Sequence, residues 1–369
     1  WRRLLGPLVA RDDEVAEFTL SSLLRVPRHP VTAAVFGLAA LDQGSPWWNE
    51  RWRGEAAPAL LAGVMAHAIL PMPTLAASAA GIALAVHGHA RGWPLPEGGS
   101  QSIVDVLADD FREHGGVIET GVEVTSLDEV SDATAAIFDV SARSMADIGG
   151  ARFPNSYSRA LRRFRYGNAA SKVDFALSGP VPWLDPDVRR SPTVHLGGTR
   201  AMIAASERDV ARGKHSDDPF VLAVQPGVVD PGRAPSGKAV LWAYTHVPRD
   251  SDVDQTEAVT RVIEGYAPGF RDTILATSSR TAKDLENYDP NYIGGDIASG
   301  APSLRQLIAR PTLDVEPWRT PVPGVYLASS STPPGPSVHG LCGAYAARSA
   351  LRHEFGIRTL PDLRCSRPE

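Results

Sequence analysis

The sequence contains only two cysteines, Cys342 and Cys365, and they do not form a Cys-x-x-Cys pair. Two thiols are too few for a disulfide scaffold or a structural zinc site, so we expect reduced cysteines and a reducing compartment. Lys and Arg (37) are fewer than Asp and Glu (42), and the sequence suggests no basic cluster. This balance argues against nucleic acid as a partner, because binding phosphates requires concentrated positive charge.

Hydrolase and metal motifs are also lacking. No Gly-x-Ser-x-Gly elbow and no His-Glu-x-x-His helix occurs, which removes the starting residue of a serine hydrolase or zinc protease. His87 and His89 have no carboxylate or thiol at ligand spacing, so no metal site is predicted. Segment 232–238 has the spacing of a Walker loop, but Ala239 replaces the magnesium-binding Ser or Thr and a strand-like stretch follows. We interpret this segment as a hairpin connection.

No apolar run is long enough to cross a bilayer. Residues 59–90 are largely apolar, but Pro71 and Pro73 divide them into runs of about 12 and 17 residues, short of the roughly 20 that a spanning helix needs. We predict two buried helices in this stretch. A monotopic membrane contact is the alternative, because an enzyme acting on a lipid must expose apolar surface.

The composition that remains is that of a globular protein. The 369 residues are 43% hydrophobic and 21% charged, which suffices for about two domains. The 33 glycines and 31 prolines predict many turns. Apolar periodicity predicts an α/β fold with α+β elements, in four regions. These are a helical region at 1–95, an α/β segment at 96–150, a domain with an antiparallel sheet at 151–283, and a return to the α/β layer at 284–369.

Two stretches show the clearest periodicity. Ser100 is predicted to cap a helix that ends at Gly115 and Gly116 and is followed by a strand. The apolar face of that helix comprises Ile103, Val104, Leu107 and Phe111. Later, Val173, Phe175 and Leu177 alternate with Lys172 and Asp174, which is the period of a half-buried strand.

The C-terminal segment combines a strand, a Pro-Gly loop and a helix rich in small residues. Gly340, Gly343, Ala344 and Ala347 share one side of that helix. Small residues let the backbone approach a flat ligand, and a helix N-terminus offers unpaired N–H groups with partial positive charge. The spacing is compatible with a site for an anionic or electron-rich group, and equally with a tightly packed helix.

This segment, GVYLASSSTPPGPSVHGLCGAYAARSAL, resembles the C-terminal flavin motif of phytoene desaturase-like FAD oxidoreductases, within the amine-oxidase and GDP-dissociation-inhibitor superfamily. RGWPLPEGGSQSIVDVLADDFREHGGVIETG resembles the family's second flavin-domain segment, and FRYGNAASKVDFALSGPVPW resembles its first substrate-domain strand. NYIGGDIASGAPSLRQLIARP is similar to a segment of members akin to pyridine nucleotide-disulfide oxidoreductase domain-containing protein 2. The resemblance covers essentially the whole chain.

The resemblance implies an FAD that lies between a Rossmann-like domain and a substrate domain floored by a sheet. Val124, in a predicted strand, matches the position whose backbone meets the adenine. Lys172 matches a lysine that approaches flavin N5 through a water in the amine-oxidase branch, although it could equally be a solvent-facing lysine on a strand. The positions that match the C-terminal flavin motif are Gly335, Val338, His339, Gly340 and Gly343.

One family feature is absent. Family members begin with a strand, a Gly-x-Gly-x-x-Gly turn and a helix that bind the FAD pyrophosphate, and no such turn occurs in the sequence. The resemblance therefore predicts a fragment truncated before its first βαβ unit. Because such a fragment would leave sheet edges and apolar faces uncovered, it predicts a poorly soluble product.

The function that the resemblance implies is that of an FAD-dependent oxidoreductase, of desaturase or dehydrogenase type, acting on a hydrophobic, isoprenoid or lipid-like substrate. No general base stands out, which suits hydride transfer to a flavin. We expect a cytoplasmic protein, with membrane association left open. Two alternatives are a non-catalytic binding protein like the escort and GDP-dissociation-inhibitor branch, and a flavin-dependent isomerase with no net redox change.

Overall fold

The computed structural model describes residues 1–359. Helices dominate the first 91 residues and recur throughout the rest of the chain. Within the described residues the α-helices are α1 (Arg2–Val9), α2 (Asp12–Thr19), α3 (Pro30–Gly44), α4 (Ala56–Met65), α5 (Leu75–Arg91), α6 (Gln101–Glu113), α7 (Ala142–Gly149), α8 (Asn155–Arg162), α9 (Arg200–Ala211), α10 (Thr256–Tyr266), α11 (Phe270–Thr273), α12 (Ala282–Tyr288), α13 (Leu304–Ile308) and α14 (Leu341–Glu354).

The strands form two sheets. They are β1 (Ala136–Phe138), β2 (Ala169–Leu177), β3 (Thr193–Leu196), β4 (Val221–Val224), β5 (Ala239–Val247), β6 (Ile274–Arg280) and β7 (Val325–Leu327). β1 and β7 form a parallel pair, with Ala136 opposite Val325. The other strands form an antiparallel sheet in the order β3-β4-β5-β2-β6. The predicted mixed α/β class, with helices and an antiparallel sheet, is confirmed.

The chain divides into two compact units. Unit 1 contains residues 1–17, 27–122 and 166–297, and therefore most of the N-terminal helices together with the five-stranded sheet. Unit 2 contains residues 18–26, 123–165 and 298 onwards, with the parallel pair.

The helices of unit 1 include the pair predicted from the apolar stretch 59–90. α5 is capped at its start by Thr74, whose Oγ1 accepts a hydrogen bond from the Ala77 amide, and at its end by Gly92 in a positive-φ conformation. Small residues bring α5 against α4: a Cβ added at Gly81 would lie only 2.5 Å from Cγ of Met65. Most residues of α4 are buried, so the prediction of buried helices is confirmed. No helix among the described residues is long and apolar enough to cross a membrane.

The sheet of unit 1 carries an apolar core on one face. β2 alternates as predicted: Val173, Phe175 and Leu177 are buried in this core, whereas Lys172 and Asp174 are only half-buried on the other face. Phe175 packs edge-to-face against Phe270 with ring centroids 5.3 Å apart. The remaining buried core members include Val181, Trp183, Leu196, Val221, Ala223, Leu241, Ala243, Val259 and Ile263.

Unit 2 places the parallel pair beside α14. Trp318, Tyr326, Ala328, Ala346 and Ala350 are buried together. The Tyr345 hydroxyl donates to the carbonyl of Leu20 at 2.9 Å, which ties the short segment 18–26 to α14.

The expectations for residues 100–124 are confirmed only in part. The Ser100 side chain makes no capping hydrogen bond, although a helix does begin at Gln101. The predicted apolar face of α6 is present, but no residue of the helix is buried and Leu107 is 65% exposed. Val124 lies in irregular backbone rather than in a strand, because no described strand runs beside it to accept its hydrogen bonds.

Segment 232–238 does join two antiparallel strands, β4 and β5, and a strand follows it, as predicted. β3 and α9 were not predicted. Cys342 is buried with a free thiol, and Cys365 lies outside the described residues.

The packing of Phe175 yields a stability prediction. Phe175→Ala should lower the free energy of unfolding by about 3–5 kcal/mol, because it removes a buried ring from the core and leaves a cavity. Ala176→Ser, on the exposed face of the same strand, should change it by about 0.5 kcal/mol or less. Urea unfolding measures both, and equal effects of the two substitutions would contradict the assignment of the core face.

Candidate functional site

The first candidate site is the loop that joins β7 to α14 in unit 2. It contains the residues that match the flavin motif and ends at Gly340, which precedes α14 with a φ of 63°. Gly335 is buried with a φ of 106°, whereas Val338 is 88% exposed. The structure thus brings Gly335, Val338, His339, Gly340 and Gly343 together on one loop and the first turn of one helix.

The start of α14 has open backbone donors. The Leu341 amide donates to Nδ1 of His339 at 3.0 Å, but among residues 1–359 the amides of Cys342 and Gly343 have no acceptor. An ideal Cβ placed on Gly340 or Gly343 would meet no atom within 4 Å. The helix start therefore presents N–H groups and bare backbone to open space, where an electron-rich group can approach closely.

A buried guanidinium holds this loop in place. Arg310 is 1% exposed, and its Nε donates to the carbonyl of Ser330 at 2.7 Å while Nη2 donates to the carbonyl of Ser299. The Ser331 hydroxyl donates to the same Ser299 carbonyl and accepts from the amide of Ala142, the first residue of α7. Because these partners are backbone atoms, the loop keeps a defined path without regular secondary structure.

Burial also determines the protonation of two loop side chains. It lowers the pKa of His339 from its usual value, so the ring is neutral at neutral pH and Nδ1 can accept from Leu341. It raises the pKa of the Cys342 thiol, so this cysteine is not a thiolate nucleophile at neutral pH. The chemistry available here is hydrogen-bond donation from backbone rather than attack by a side chain.

The other two predicted site residues lie away from this loop in sequence. Val124 belongs to unit 2 and is half-buried, in the irregular segment described above. Lys172 belongs to unit 1, where its Nζ pairs with both oxygens of Asp174 at 2.5 and 2.6 Å and lies 5.8 Å from the ring of Trp242. The roles of these residues at a flavin stay predictions.

The second candidate site is the face of the five-stranded sheet opposite its apolar core. Lys172 stands opposite Tyr244, and Asp174 stands opposite Trp242. The rings of Trp242 and Tyr244 are stacked, with centroids 6.4 Å apart and planes 15° apart. A groove of about 420 Å³ opens beside Trp242, Asp174 and Arg233. This face offers flat aromatic surface next to a charged pair.

Four ionisable side chains gather at the far end of this face. His67, after α4, and His195, on β3, approach each other with Nε2 atoms 3.0 Å apart. Burial, followed by the charge of neighbouring histidines, lowers the pKa of His67 to about 4 and that of His195 to about 3. Both rings are therefore neutral at neutral pH, and one must donate while the other accepts.

Glu207 and His246 form the other pair of this cluster. Nδ1 of His246 donates to Oε1 of Glu207 at 2.6 Å, and both side chains are almost fully buried. Oε2 of Glu207 and Nε2 of His246 have no partner among the described residues. A carboxylate that orients an imidazole in this way leaves Nε2 available to exchange a proton or a hydrogen bond.

No local pattern predicted this cluster, because its members are far apart in the chain and lie after α4 and on β3, α9 and β5. The alternation of residues along β5 was the one sequence feature that could have pointed to this cluster. It places His246 on the same face as Trp242 and Tyr244.

The chain is similar in sequence to several known oxidoreductases. The chain is 26% identical over 305 residues to pyridine nucleotide-disulfide oxidoreductase domain-containing protein 2 of Rattus norvegicus, covering 72% of this chain and 52% of that protein. It is 24% identical over 311 residues to phytoene desaturase (lycopene-forming) of Pseudescherichia vulneris, with 73% and 58% covered. It is 25% identical over 264 residues to 4,4'-diapolycopen-4-al dehydrogenase of Metabacillus indicus, with 67% and 51% covered. No protein-family model matches the chain.

The chain is a homologue of these oxidoreductases. The resemblance inferred from the motifs is thereby confirmed. The chain spans about half the length of these curated relatives.

The histidine pair predicts how stability depends on pH. Since folding lowers both pKa values below the 6.5 of an exposed histidine, the unfolded chain binds more protons between pH 6.5 and about 4. The free energy of unfolding is therefore not reduced by these histidines above pH 6.5, and it decreases as the pH falls below that value. Lowering the pH from 7 to 5 should reduce the free energy of unfolding by about 1–2 kcal/mol for each imidazole.

Urea unfolding at pH 7 and pH 5 measures this loss. His195→Gln keeps a neutral hydrogen-bonding side chain and should remove roughly half of the loss. His114→Gln, which alters an exposed histidine of unit 1, should not reduce it. A pH dependence unchanged in His195→Gln would show that the pair does not titrate in this way.

Proposed function

We propose that the protein is an FAD-dependent oxidoreductase that desaturates or dehydrogenates a hydrophobic, isoprenoid-like substrate. The observation that carries the proposal is the open start of α14, where two unpaired amides and two bare glycines occupy the positions that match the flavin motif. The three relatives named above, two of which carry polyene substrates or products in their names, support the redox chemistry and the substrate class.

The residues at this helix start fit a flavin ring. A flat heterocycle needs backbone without side chains above it, which Gly340 and Gly343 provide. Its electron-rich edge needs hydrogen-bond donors, which the amides of Cys342 and Gly343 provide. When bound, FAD supplies the capacity to accept a hydride.

The chain's own residues have binding and positioning roles in this proposal. The α14 amides hold the electron-rich edge of the ring, and Arg310 keeps the preceding loop in register through Ser330 and Ser299. Trp242 and Tyr244 offer an apolar platform to a long hydrocarbon. The groove beside Trp242 fits an apolar segment better than a strongly charged one, since its charged side chains are already paired, Asp174 with Lys172 and Arg233 with Asp230.

Gly343→Val tests the cofactor part of the proposal. The added side chain meets no protein atom within 4 Å at its Cβ, so the fold should persist, but it fills the space that the ring needs. We expect about tenfold weaker FAD binding or more, from steric exclusion. The full gene product that contains these 369 residues should be purified, and its bound flavin measured by visible absorbance.

Gly37→Val is the matched control, because Gly37 is also a helical glycine with an empty Cβ position but lies in α3. It should retain the flavin of the unaltered protein. If the unaltered protein carries no flavin, or if both variants lose it equally, the assignment of this helix start is wrong.

The substrate part has a separate test. The flavin-loaded protein should convert phytoene or diapolycopen-4-al to a more oxidised product when an electron acceptor is present, as chromatography of the extracted pigments will show. Conversion without any acceptor would instead favour the isomerase. A colourless protein that still binds these lipids would favour the non-catalytic binding protein.

A further inference from the structure

Unit 2 contains a polar pocket that is lined by arginines. Its volume is about 450 Å³. It shares no lining residue with the loop of the flavin motif, and its four basic side chains are those of Arg159, Arg163, Arg165 and Arg305. All four belong to exposed residues, and no aspartate or glutamate lines the pocket.

The backbone places these arginines on two walls of the pocket, one formed by residues 156–165 and the other by residues 303–313. Arg159 and Arg163 are one helical turn apart at the end of α8, where the Arg163 amide donates to the Arg159 carbonyl at 3.1 Å. Arg165 and Arg305 are connected through the buried side chain of Gln306. Its Oε1 accepts from the Arg165 amide at 2.7 Å, and its Nε2 donates to the Arg165 carbonyl at 2.9 Å.

The four guanidinium groups have no carboxylate partner. Among residues 1–359, none of them lies within ion-pair distance of an aspartate or glutamate, whereas Arg162 pairs with Asp147 and Arg152 pairs with Asp128. Asp314, adjacent to the pocket residue Leu313, instead accepts from the Glu316 amide. Like charges gathered without counterions destabilise a fold, so packing does not explain them.

The floor and rim of the pocket suit a small ligand. Phe164 is buried at its base, and the hydroxyl-bearing residues Ser156, Ser303 and Thr312 add hydrogen-bonding capacity to its walls. A cleft with walls of one charge sign concentrates its field and raises the local concentration of the opposite ion. Guanidinium groups pair with phosphate oxygens in a two-pronged geometry, which makes several arginines a better match to phosphate than to a single carboxylate.

We propose that this pocket is a binding site for a phosphate-bearing anion, of the size of a diphosphate or a phosphomonoester with part of its carrier. Such a phosphate can belong to a soluble ester or to a lipid headgroup. The site lies outside the residues used in the proposed redox function and does not depend on it. The sequence analysis found no cluster of lysines and arginines, and this expectation is wrong for residues 159–165. Arg305 lines the same pocket as the arginines of that segment.

The test is titration of the full chain with inorganic pyrophosphate by isothermal calorimetry. We expect one pyrophosphate per chain, and about tenfold or greater weakening in Arg163→Gln/Arg305→Gln, which removes one guanidinium from each wall. The control Arg152→Gln/Arg348→Gln removes the same charge from exposed positions of unit 2 that do not line the pocket. It should weaken binding by about twofold at most.

Thermal unfolding of both double variants verifies that they are folded. If the pocket variant is not folded, Arg163→Gln and Arg305→Gln are titrated as single variants, and each should weaken pyrophosphate binding. Flotation with phosphatidylcholine vesicles, with and without phosphatidic acid, identifies the source of the phosphate. Binding only to the acidic vesicles, reversed by pyrophosphate, assigns a lipid headgroup; pyrophosphate binding without flotation assigns a soluble ester. No calorimetric binding by the unaltered chain, or equal loss in both double variants, would overturn the proposal.

Discussion

Each compact unit is held together by a buried arginine that donates to carbonyls outside the helices and strands. In unit 2, Arg310 bonds the carbonyls of Ser330 and Ser299, and so fixes the loop before α14. In unit 1, Arg200 donates to the carbonyl of Trp48 and to Gln43, and its guanidinium lies 3.9 Å from the Trp48 ring. A buried guanidinium must satisfy its N–H groups locally, so these loops have little freedom to rearrange.

The consequence for the loop before α14 is preorganisation. A loop rich in Ser, Pro and Gly would have many conformations by itself, and ordering it on binding a cofactor would cost conformational entropy. Here the loop is ordered by contacts within its own unit, through Arg310 and Ser331. The amides of Cys342 and Gly343 are thereby held in position before any ligand arrives. The sheet face of unit 1 is rigid for a different reason, because every one of its strands is paired.

The sequence predicted those parts of the fold that depend on local patterns. β2 and β5 alternate visibly, and Pro71 and Pro73 correctly divided the apolar stretch 59–90 into two helices. The prediction of a strand at Val124 was wrong because strand formation requires a neighbouring strand, which a local pattern cannot reveal. The apolar face of α6 was correctly identified, but burial depends on what packs there. The histidine cluster was missed for a related reason, because His67 and His195 are 128 positions apart. Three of the pocket arginines are close together in the sequence, at 159–165, but that Arg305 joins them depends on the fold.

The parallel pairing of β1 with β7 has a consequence for biosynthesis. The hydroxyl of Ser331 meets Ala142 across 189 residues of chain, and the strands beside these residues are equally far apart. The antiparallel sheet of unit 1 is complete once Arg280 has left the ribosome, whereas β1 must wait for β7 to be synthesised. During translation, the segment that carries β1 and α7 is therefore exposed for longer than any strand of the large sheet, which gives a chaperone more time to bind there than on that sheet.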